Sequence, residues 1–306
     1  MPPSMKAISQ DILGGPEVLR TVEAPRPTPR TGQVLVRMCA TSVNPVDCKL
    51  RAGVVTHLGP PPFTLGFDLS GTVVEIGPEV ESFQPGDEVF GMIFSKKGAY
   101  GEFALANADT LALRPANLDP IHAGVLPTAA LTAWQAINLA DVHNGERVLI
   151  HAAAGGVGHL AVQFAHRRGA HVIGTARTVN HNFLRALGAD ELVDYTESDF
   201  AASVQEVDAV IDLVGGAYGS RSLRILRADG RYIDAQGSDA TDDPRYRRVV
   251  GHPSPADLTS IGQLAADGKV RVEVEQTMSL ADITEAHKLS ESGRVRGKLA
   301  LTPWGP

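Results

Sequence analysis

The chain has 306 residues, of which 43% are hydrophobic and 21% charged, and its formal net charge is −7. This length allows two domains that each bury a core, and the acidic balance gives no basic surface for nucleic acid. Two cysteines are too few for a disulfide framework or a four-cysteine zinc site. The sequence has no apolar run near the roughly 18 residues of a membrane span and no apolar signal core, so we expect a cytoplasmic protein.

The first third of the chain is predicted to be rich in β-strands. Short apolar runs at 33–38, 70–77, 87–92 and 99–106 lie between glycine and proline turns, which is typical of a small antiparallel barrel or sandwich. Cys39 follows Val36 on the first of these runs and is interpreted as a small core residue.

Strands and helices alternate from about residue 120 onward. Apolar runs at 147–153, 171–176, 191–195, 207–214 and 230–237 are separated by helical segments, an order that predicts βαβ units and a doubly wound parallel sheet. A capped helix ending at Gly268 follows, and then a strand, a helix and a strand. We predict an α/β protein in which 1–117 and 268–306 form one domain and 118–267 form the dinucleotide-binding domain.

The strongest local motif is HAAAGGVGHLAVQFA at 151–165. The motif stands after a predicted strand and begins a predicted helix. It contains Gly155, Gly156 and Gly158, together with Ala154 and Val157. Glycines at that place allow a tight turn and a close approach to a pyrophosphate, which the N–H groups of the helix start can bind. Because strand, turn, helix and next strand are all present, the motif predicts a dinucleotide site.

The end of the second strand predicts which dinucleotide binds. An NAD site normally has an acid about 20 residues after the glycines, but GTARTVNHN contains none, and Arg177 stands at that place. A guanidinium suits the 2′-phosphate of NADPH. The alternative is a solvated loop arginine. On the helix after the glycine turn, His159 and His166 are predicted to face solvent.

Several segments, in order over nearly the whole chain, resemble the zinc-free quinone oxidoreductases, the zeta-crystallin-like group of the medium-chain dehydrogenase/reductase superfamily. They are TSVNPVDCKLRAG, PFTLGFDLSGTVVEIGPEV, FQPGDEVFG, LPTAALTAWQAI, HAAAGGVG, VIDLVGG and GRVRGKLAL. The resemblance implies a GroES-like catalytic domain, a Rossmann domain and a homodimer formed by edge-strand pairing. Zinc-dependent relatives carry a histidine where Phe67 stands here, and Phe67 cannot bind a metal, so no metal site is expected.

The resemblance also implies site residues. Asn44 and Lys49 are candidates for polarising or protonating the acceptor; a cap at a helix start and a solvated side chain are the alternatives. Tyr100 is a third candidate, although packing is the favoured interpretation. The expected cofactor contacts are Thr128 and Thr132 on the helix at the start of the cofactor domain, Tyr195, Val214, Gly215, Gly237, Arg296 and Lys298.

Three functions remain open on the sequence. The first is hydride transfer from NADPH to a quinone, in which the cofactor supplies the reactivity and the protein orients and polarises. The second is reduction of an activated C=C bond in an enone, an alkenal or an enoyl thioester. The third is a nucleotide-binding structural or sensor protein without turnover. Serine hydrolysis is unsupported because the sequence has no G-x-S-x-G motif.

Overall fold

The computed structural model describes residues 3–304, which divide into two units. The first unit contains the chain up to Thr128 and again from His252, and the second contains Ala129–Gly251. The N-terminal part of the first unit has seven strands and two helices: β1 Ser4–Ser9, β2 Arg20–Pro25, β3 Gln33–Val43, α1 Pro45–Ala52, β4 Asp68–Ile76, β5 Glu88–Met92, β6 Phe103–Asn107, β7 Leu111–Leu113 and α2 Pro120–Val125.

The second unit alternates helices and strands. They are α3 Pro127–Leu139, whose first two residues belong to the first unit, β8 Arg147–Ile150, α4 Gly158–Arg167, β9 His171–Thr175, α5 His181–Ala186, β10 Glu191–Val193, α6 Phe200–Ser203, β11 Val207–Asp212, α7 Tyr218–Leu223, β12 Leu226–Asp234 and β13 Tyr246–Arg248. The chain then returns to the first unit as α8 Pro255–Ala266, β14 Val274–Ser279, α9 Ile283–Glu291 and β15 Lys298–Thr302.

The sheet of the second unit confirms the predicted doubly wound fold. Its strand order is β10-β9-β8-β11-β12-β13, and all neighbours run parallel. The order reverses between β8 and β11, so the carboxyl ends of these two strands face the crevice where open α/β sheets bind ligands. Strands buried on both faces explain the continuous apolar runs of the sequence.

The first unit is built on a mainly antiparallel sheet of order β14-β15-β3-β4-β5-β7, with β6 paired to β3 and a separate β1-β2 pair. One hydrophobic cluster lies beneath α1 and α9 and includes Leu50, Phe67 and Tyr100. A second cluster includes Val36, Leu69 and Val89 from three neighbouring strands. Between residues 3 and 304, no helix is long and apolar enough to cross a membrane.

The unit boundaries differ from the sequence prediction near 118 and 268. The divisions lie after Thr128 and after Gly251 because two helices belong to the first unit. The helix α2 packs on β3 and β4. The helix α8, which is capped by Ser254, packs so closely on the sheet that a Cβ on Gly262 would stand 2.8 Å from the ring of Phe90. Helical periodicity locates such helices but not the sheet that they cover.

The interpretation of Cys39 as a core residue is wrong. Its side chain is exposed, while Val36, Met38 and Ala40 are buried. Residues three apart on a strand point to opposite faces, and the pairing of β3 with β4 shifts register between Met38 and Ala40. Such a shift is a bulge, which turns the extra residue out of the ladder.

Candidate active site

The glycine turn after β8 has the geometry of an anion cradle. Ala152 adopts a left-handed φ of 50°, and a Cβ on Gly158 would lie 2.3 Å from the carbonyl oxygen of Ala152. The backbone N–H groups of Gly156, Val157 and Gly158 make no hydrogen bond to any part of the chain that the structure describes. These donors, at the start of the ten-residue helix α4, suit a pyrophosphate.

Arg177 stands two residues after the end of β9. Across residues 3–304 its half-buried guanidinium makes neither a hydrogen bond nor an ion pair. Asp194, an acid bonded to the neighbouring Thr178, is fully engaged: it accepts hydrogen bonds from the backbone and hydroxyl groups of Thr178 and Thr196. These donors hold its pKa below the usual range. The arginine is therefore left as an available cation.

The strands β11 and β12 each end in the pattern I-D-x-x-G. Asp212 and Asp234 stand at the same register of this parallel pair. Asp212 accepts the backbone N–H groups of Val214 and Gly215 at 2.8 and 3.0 Å, and Asp234 accepts those of Gln236, Gly237 and Ser238. The structure thus brings the predicted residues Val214, Gly215 and Gly237 together.

The two loops are also bonded to each other through backbone groups. The N–H of Gly216 donates to the carbonyl of Gly237 at 2.9 Å. Gly215 has a φ of 79°, and a Cβ there would approach the Gly237 oxygen to 2.5 Å. Burial raises the pKa of Asp212, whereas for Asp234 the hydrogen bonds from Gln236 and Gly237 and the nearby Arg248 outweigh burial and lower the pKa.

In the first unit the structure brings together two residues that are 254 positions apart in the sequence. The ammonium of Lys298 donates to Oδ1 of Asn44 at 2.5 Å, and both side chains are buried. The Nδ2 of Asn44 donates to Asp68 at 2.9 Å. Asp68, which the sequence analysis did not select, also accepts the backbone N–H of Thr128 at 2.6 Å.

Asn44 stands at the cap position of α1, as its sequence context predicts, but its side chain bonds to Lys298 and Asp68. The capping bond runs in the other direction: Asp47 in the first turn accepts the backbone N–H of Asn44 at 2.9 Å. Asp47 also accepts the N–H of Gly66. Burial raises the pKa of Asp47 to about 7, and the neighbouring Asp68 adds to this rise.

Lys49 and Tyr100, the other two candidates for the reacting centre, have different surroundings. Lys49 lies half-buried on α1. Tyr100 is fully buried, and its hydroxyl lies 3.3 Å from the carbonyl of Ser42 and 3.4 Å from Nε2 of His287. This placement favours packing over a role in proton transfer for Tyr100.

His287 is an ionisable residue that the sequence analysis did not select. Its Nδ1 accepts from the guanidinium of Arg51 at 3.0 Å, which leaves the proton of the neutral ring on Nε2, facing Tyr100. Burial, with a smaller contribution from Arg51, lowers the pKa of His287 to about 3. No motif in the sequence indicates this group, because its partners come from two distant segments, α1 and the segment of Tyr100.

We expect His287→Gln to reduce the sensitivity of the fold to acid. The unfolded chain takes up a proton on histidine below about pH 6.5, whereas the folded ring stays neutral down to about pH 3. The stability from His287 is therefore present above pH 6.5 and is lost as the pH falls, by about 2 kcal/mol at pH 5. Thermal unfolding at pH 7 and pH 5 measures this difference. The exposed His57→Gln is the control, and an equal acid loss in both variants would contradict the prediction.

The remaining predicted residues are dispersed. Tyr195 lies beyond β10 with 44% of its surface exposed, and Thr132 lies half-buried on α3. Arg296 forms an ion pair with Glu273 at 2.8 Å. The prediction that His159 faces solvent is wrong, because its ring folds back and its Nδ1 bonds to the carbonyl of Gly155 at 2.9 Å. His166 is exposed as predicted.

Comparisons with known proteins agree with this arrangement. Residues 30–116 match the family model described as alcohol dehydrogenase GroES-like domain, and residues 187–301 match that described as zinc-binding dehydrogenase. The chain is 32% identical to a 2-methylene-furan-3-one reductase of Solanum lycopersicum over 99% of this chain and 80% of that protein. The structure of the quinone oxidoreductase from Coxiella burnetii is 39% identical, with a TM-score of 0.95, over 98% of this chain and 99% of that one.

The chain belongs to the zinc-free quinone oxidoreductase branch of the medium-chain dehydrogenase/reductase superfamily. It is an oxidoreductase of that type. The Escherichia coli quinone oxidoreductase, solved in complex with NADPH, is also similar, at 26% identity and a TM-score of 0.87 over 97% of this chain and 100% of that one.

Membership of this branch agrees with the surroundings of Phe67. The side chain is 1% exposed and its ring stacks on Phe94 with the ring centroids 5.0 Å apart. In the described part of the chain, no group of three or more His, Cys, Asp or Glu side chains is placed to hold a metal ion. The groups that could hold a nicotinamide cofactor lie in the glycine turn, at Arg177 and in the two I-D-x-x-G loops.

Proposed function

We propose that this oxidoreductase reduces a quinone with NADPH and without zinc. The observation that supports NADPH over NADH is the available guanidinium of Arg177 at the end of β9, where no acid is placed to bind a ribose 2′-hydroxyl. The likeness to a quinone oxidoreductase at 39% identity supports a quinone as the acceptor.

Bound NADPH supplies a hydride, and the chain's own residues bind and orient the cofactor and the acceptor. The N–H groups of Gly156, Val157 and Gly158 hold the pyrophosphate, and Arg177 binds the 2′-phosphate. The loops at Val214, Gly215 and Gly237 hold the nicotinamide end. By family likeness alone, the further proposed contacts are Thr128, Thr132, Tyr195, Arg296 and Lys298.

Reduction of a quinone to a hydroquinone takes up the hydride and a proton. We assign the proton to Lys49 or to a water that it orients, because Lys49 lies one turn after Asn44 on a helix with a partly exposed face. A positioned general acid contributes on the order of 100-fold to a rate. Asn44, the cap residue of the same helix, is held by Lys298 and Asp68.

Lys49→Met is expected to lower kcat about 100-fold, whereas Tyr100→Phe is expected to change kcat less than about threefold. The tyrosine hydroxyl faces Ser42 and His287 inside the core, so its loss costs about 1 kcal/mol of stability instead. Initial rates and thermal unfolding of both variants measure this. Loss of turnover in Tyr100→Phe with an intact fold would make Tyr100 the donor and remove Lys49 from the role.

A second candidate is reduction of an activated C=C bond. It is favoured by the likeness to a 2-methylene-furan-3-one reductase over nearly the whole chain. A hydride and a proton add across the C=C bond, and the product is the saturated carbonyl compound. The two candidates differ in the shape of acceptor that they admit.

Loss of NADPH absorbance tests both candidate functions. The purified protein is assayed with a panel of quinones and with a panel of α,β-unsaturated carbonyl compounds, and each assay is repeated with NADH. Fast oxidation with quinones supports the first proposal, and preference for enones or alkenals replaces it with the second. Binding of NADPH without oxidation by either panel would contradict both and favour a sensor or structural role.

We further propose a homodimer formed by an edge strand of the second unit. The strand β13 ends the six-stranded sheet, and such an edge presents unpaired backbone groups that another chain can extend. Light scattering of the purified protein decides between monomer and dimer.

A further inference from the structure

The fully buried carboxylate of Asp68 connects three segments to which site residues have been assigned. It accepts hydrogen bonds from the hydroxyl of Ser42 and from Nδ2 of Asn44 at the end of β3. It also accepts the backbone N–H of Thr128 at the start of α3, and it lies 3.6 Å from the ammonium of Lys298 on β15. Asp47, the other acid beside Asn44, accepts the N–H groups of Asn44 and Gly66.

The chemistry of these partners fixes the orientation of the Asn44 amide. An ammonium only donates and a carboxylate only accepts, so Oδ1 of Asn44 must face Lys298 and Nδ2 must face Asp68. The second N–H of the amide points to the hydroxyl of Ser42 at 3.3 Å. Both N–H groups are thereby engaged, and Asn44 retains only acceptor capacity on Oδ1.

Burial makes this arrangement hard to exchange for another one. Asn44, Asp68 and Lys298 are each at most 4% exposed. Buried polar groups that lose a partner destabilise the fold strongly, because water does not replace the lost bond. The cluster therefore has one favourable hydrogen-bond pattern, and Asp68 determines its direction.

We propose that Asp68 is a positioning residue, which sets the orientation of the Asn44 amide and of the first turn of α3 for the reduction proposed above. The inference rests on that function. It differs from a purely structural role, because it predicts that turnover follows the direction of the hydrogen bonds and not only their number.

The test uses two variants of the full chain. In Asp68→Asn, an amide N–H₂ meets either the donors Asn44 and Lys298 or the N–H of Thr128, so donors face donors in both orientations of the new side chain. In the double variant Asp68→Asn, Lys298→Gln, the N–H of Thr128 still donates to position 68, and the bonds that join positions 68, 44 and 298 are restored with reversed direction. The amide introduced at position 68 donates to Asn44, and Asn44 donates to the amide introduced at position 298. The double variant also keeps the net charge.

We expect the single variant to lose both stability and turnover. We expect the double variant to recover most of its melting temperature. Its kcat with the best acceptor should stay about 100-fold below that of the unmodified chain, because misplaced reacting groups lower a rate by about that factor. The exposed pair Glu285→Gln, Lys288→Met is the matched control with the same charge change, and it should leave kcat unchanged.

Lys298 is itself a proposed cofactor contact, so the double variant is compared with Lys298→Gln alone, whose new amide N–H₂ can still donate to Asn44 and keep the original direction. Recovery of the melting temperature together with a kcat equal to that of Lys298→Gln would overturn the inference and leave Asp68 a structural residue. If the unmodified chain binds NADPH but reduces no acceptor, the proposed function fails independently. The inference is then decided by NADPH affinity from tryptophan fluorescence, which it predicts to be about tenfold weaker in the folded double variant than in Lys298→Gln. Equal affinity in these two variants would overturn it.

Discussion

Changing Arg177 to alanine is expected to lower kcat/KM for NADPH about 100-fold and to change kcat/KM for NADH less than about threefold. Hydrogen bonds to charged groups contribute about 1.5–3 kcal/mol each, and the guanidinium has no partner among the described residues that would compete for it. NADH has no 2′-phosphate and so loses no such bond. Steady-state kinetics with both cofactors measures the ratio.

A matched control for this substitution lies on the next helix. Arg185 is an exposed arginine of α5 that bonds only to Asn182 in its own helix. Arg185→Ala removes the same charge from the same region and should leave the cofactor preference intact. An unchanged preference in Arg177→Ala, or an equal change in both variants, would remove Arg177 from the 2′-phosphate site.

The second large effect is expected from Gly158→Ala. The new Cβ would lie 2.3 Å from the carbonyl oxygen of Ala152 and 2.7 Å from that of Ala153. Both contacts are with backbone, so the turn itself must move away from the helix. Forcing extra volume into a packed site costs about 1–3 kcal/mol, and movement of the turn displaces the N–H groups at the start of α4. We expect a lower melting temperature and NADPH binding at least about tenfold weaker.

Gly155→Ala provides the comparison, because it stands in the same turn with more space. A Cβ there has one contact, 3.3 Å from the carbonyl of Ala152, and Gly155 has no left-handed φ. Its melting temperature should stay close to that of the unmodified chain. If thermal unfolding shows an equal loss of melting temperature in the two alanine variants, the close approach of backbone at Gly158 is not what restricts substitution in this turn.

The second unit was predictable from the sequence because its signals are local. The glycine turn, the helix that follows it and the apolar runs of the strands each lie within about 20 residues. The I-D-x-x-G pattern occurs twice in the sequence as well, and it would have indicated Asp212 and Asp234 before the structure did.

The polar cluster of the first unit was not predictable in the same way. Lys298 and Asn44 are 254 positions apart, and their contact depends on the pairing of β15 with β3. Family likeness selected both residues but assigned them to different tasks. Asp68 and His287 had no signal of their own, since a buried ionisable residue is recognised only from the partners that the tertiary fold provides.

The two I-D-x-x-G loops have an evolutionary consequence. Their shape is set by two carboxylates, two glycines and a backbone hydrogen bond between the loops. None of these bonds involves the side chains of Leu213, Val214 or Ala235. Substitutions at these three positions can therefore leave the path of the backbone unchanged, so selection for a new acceptor can act there with the smallest loss of stability.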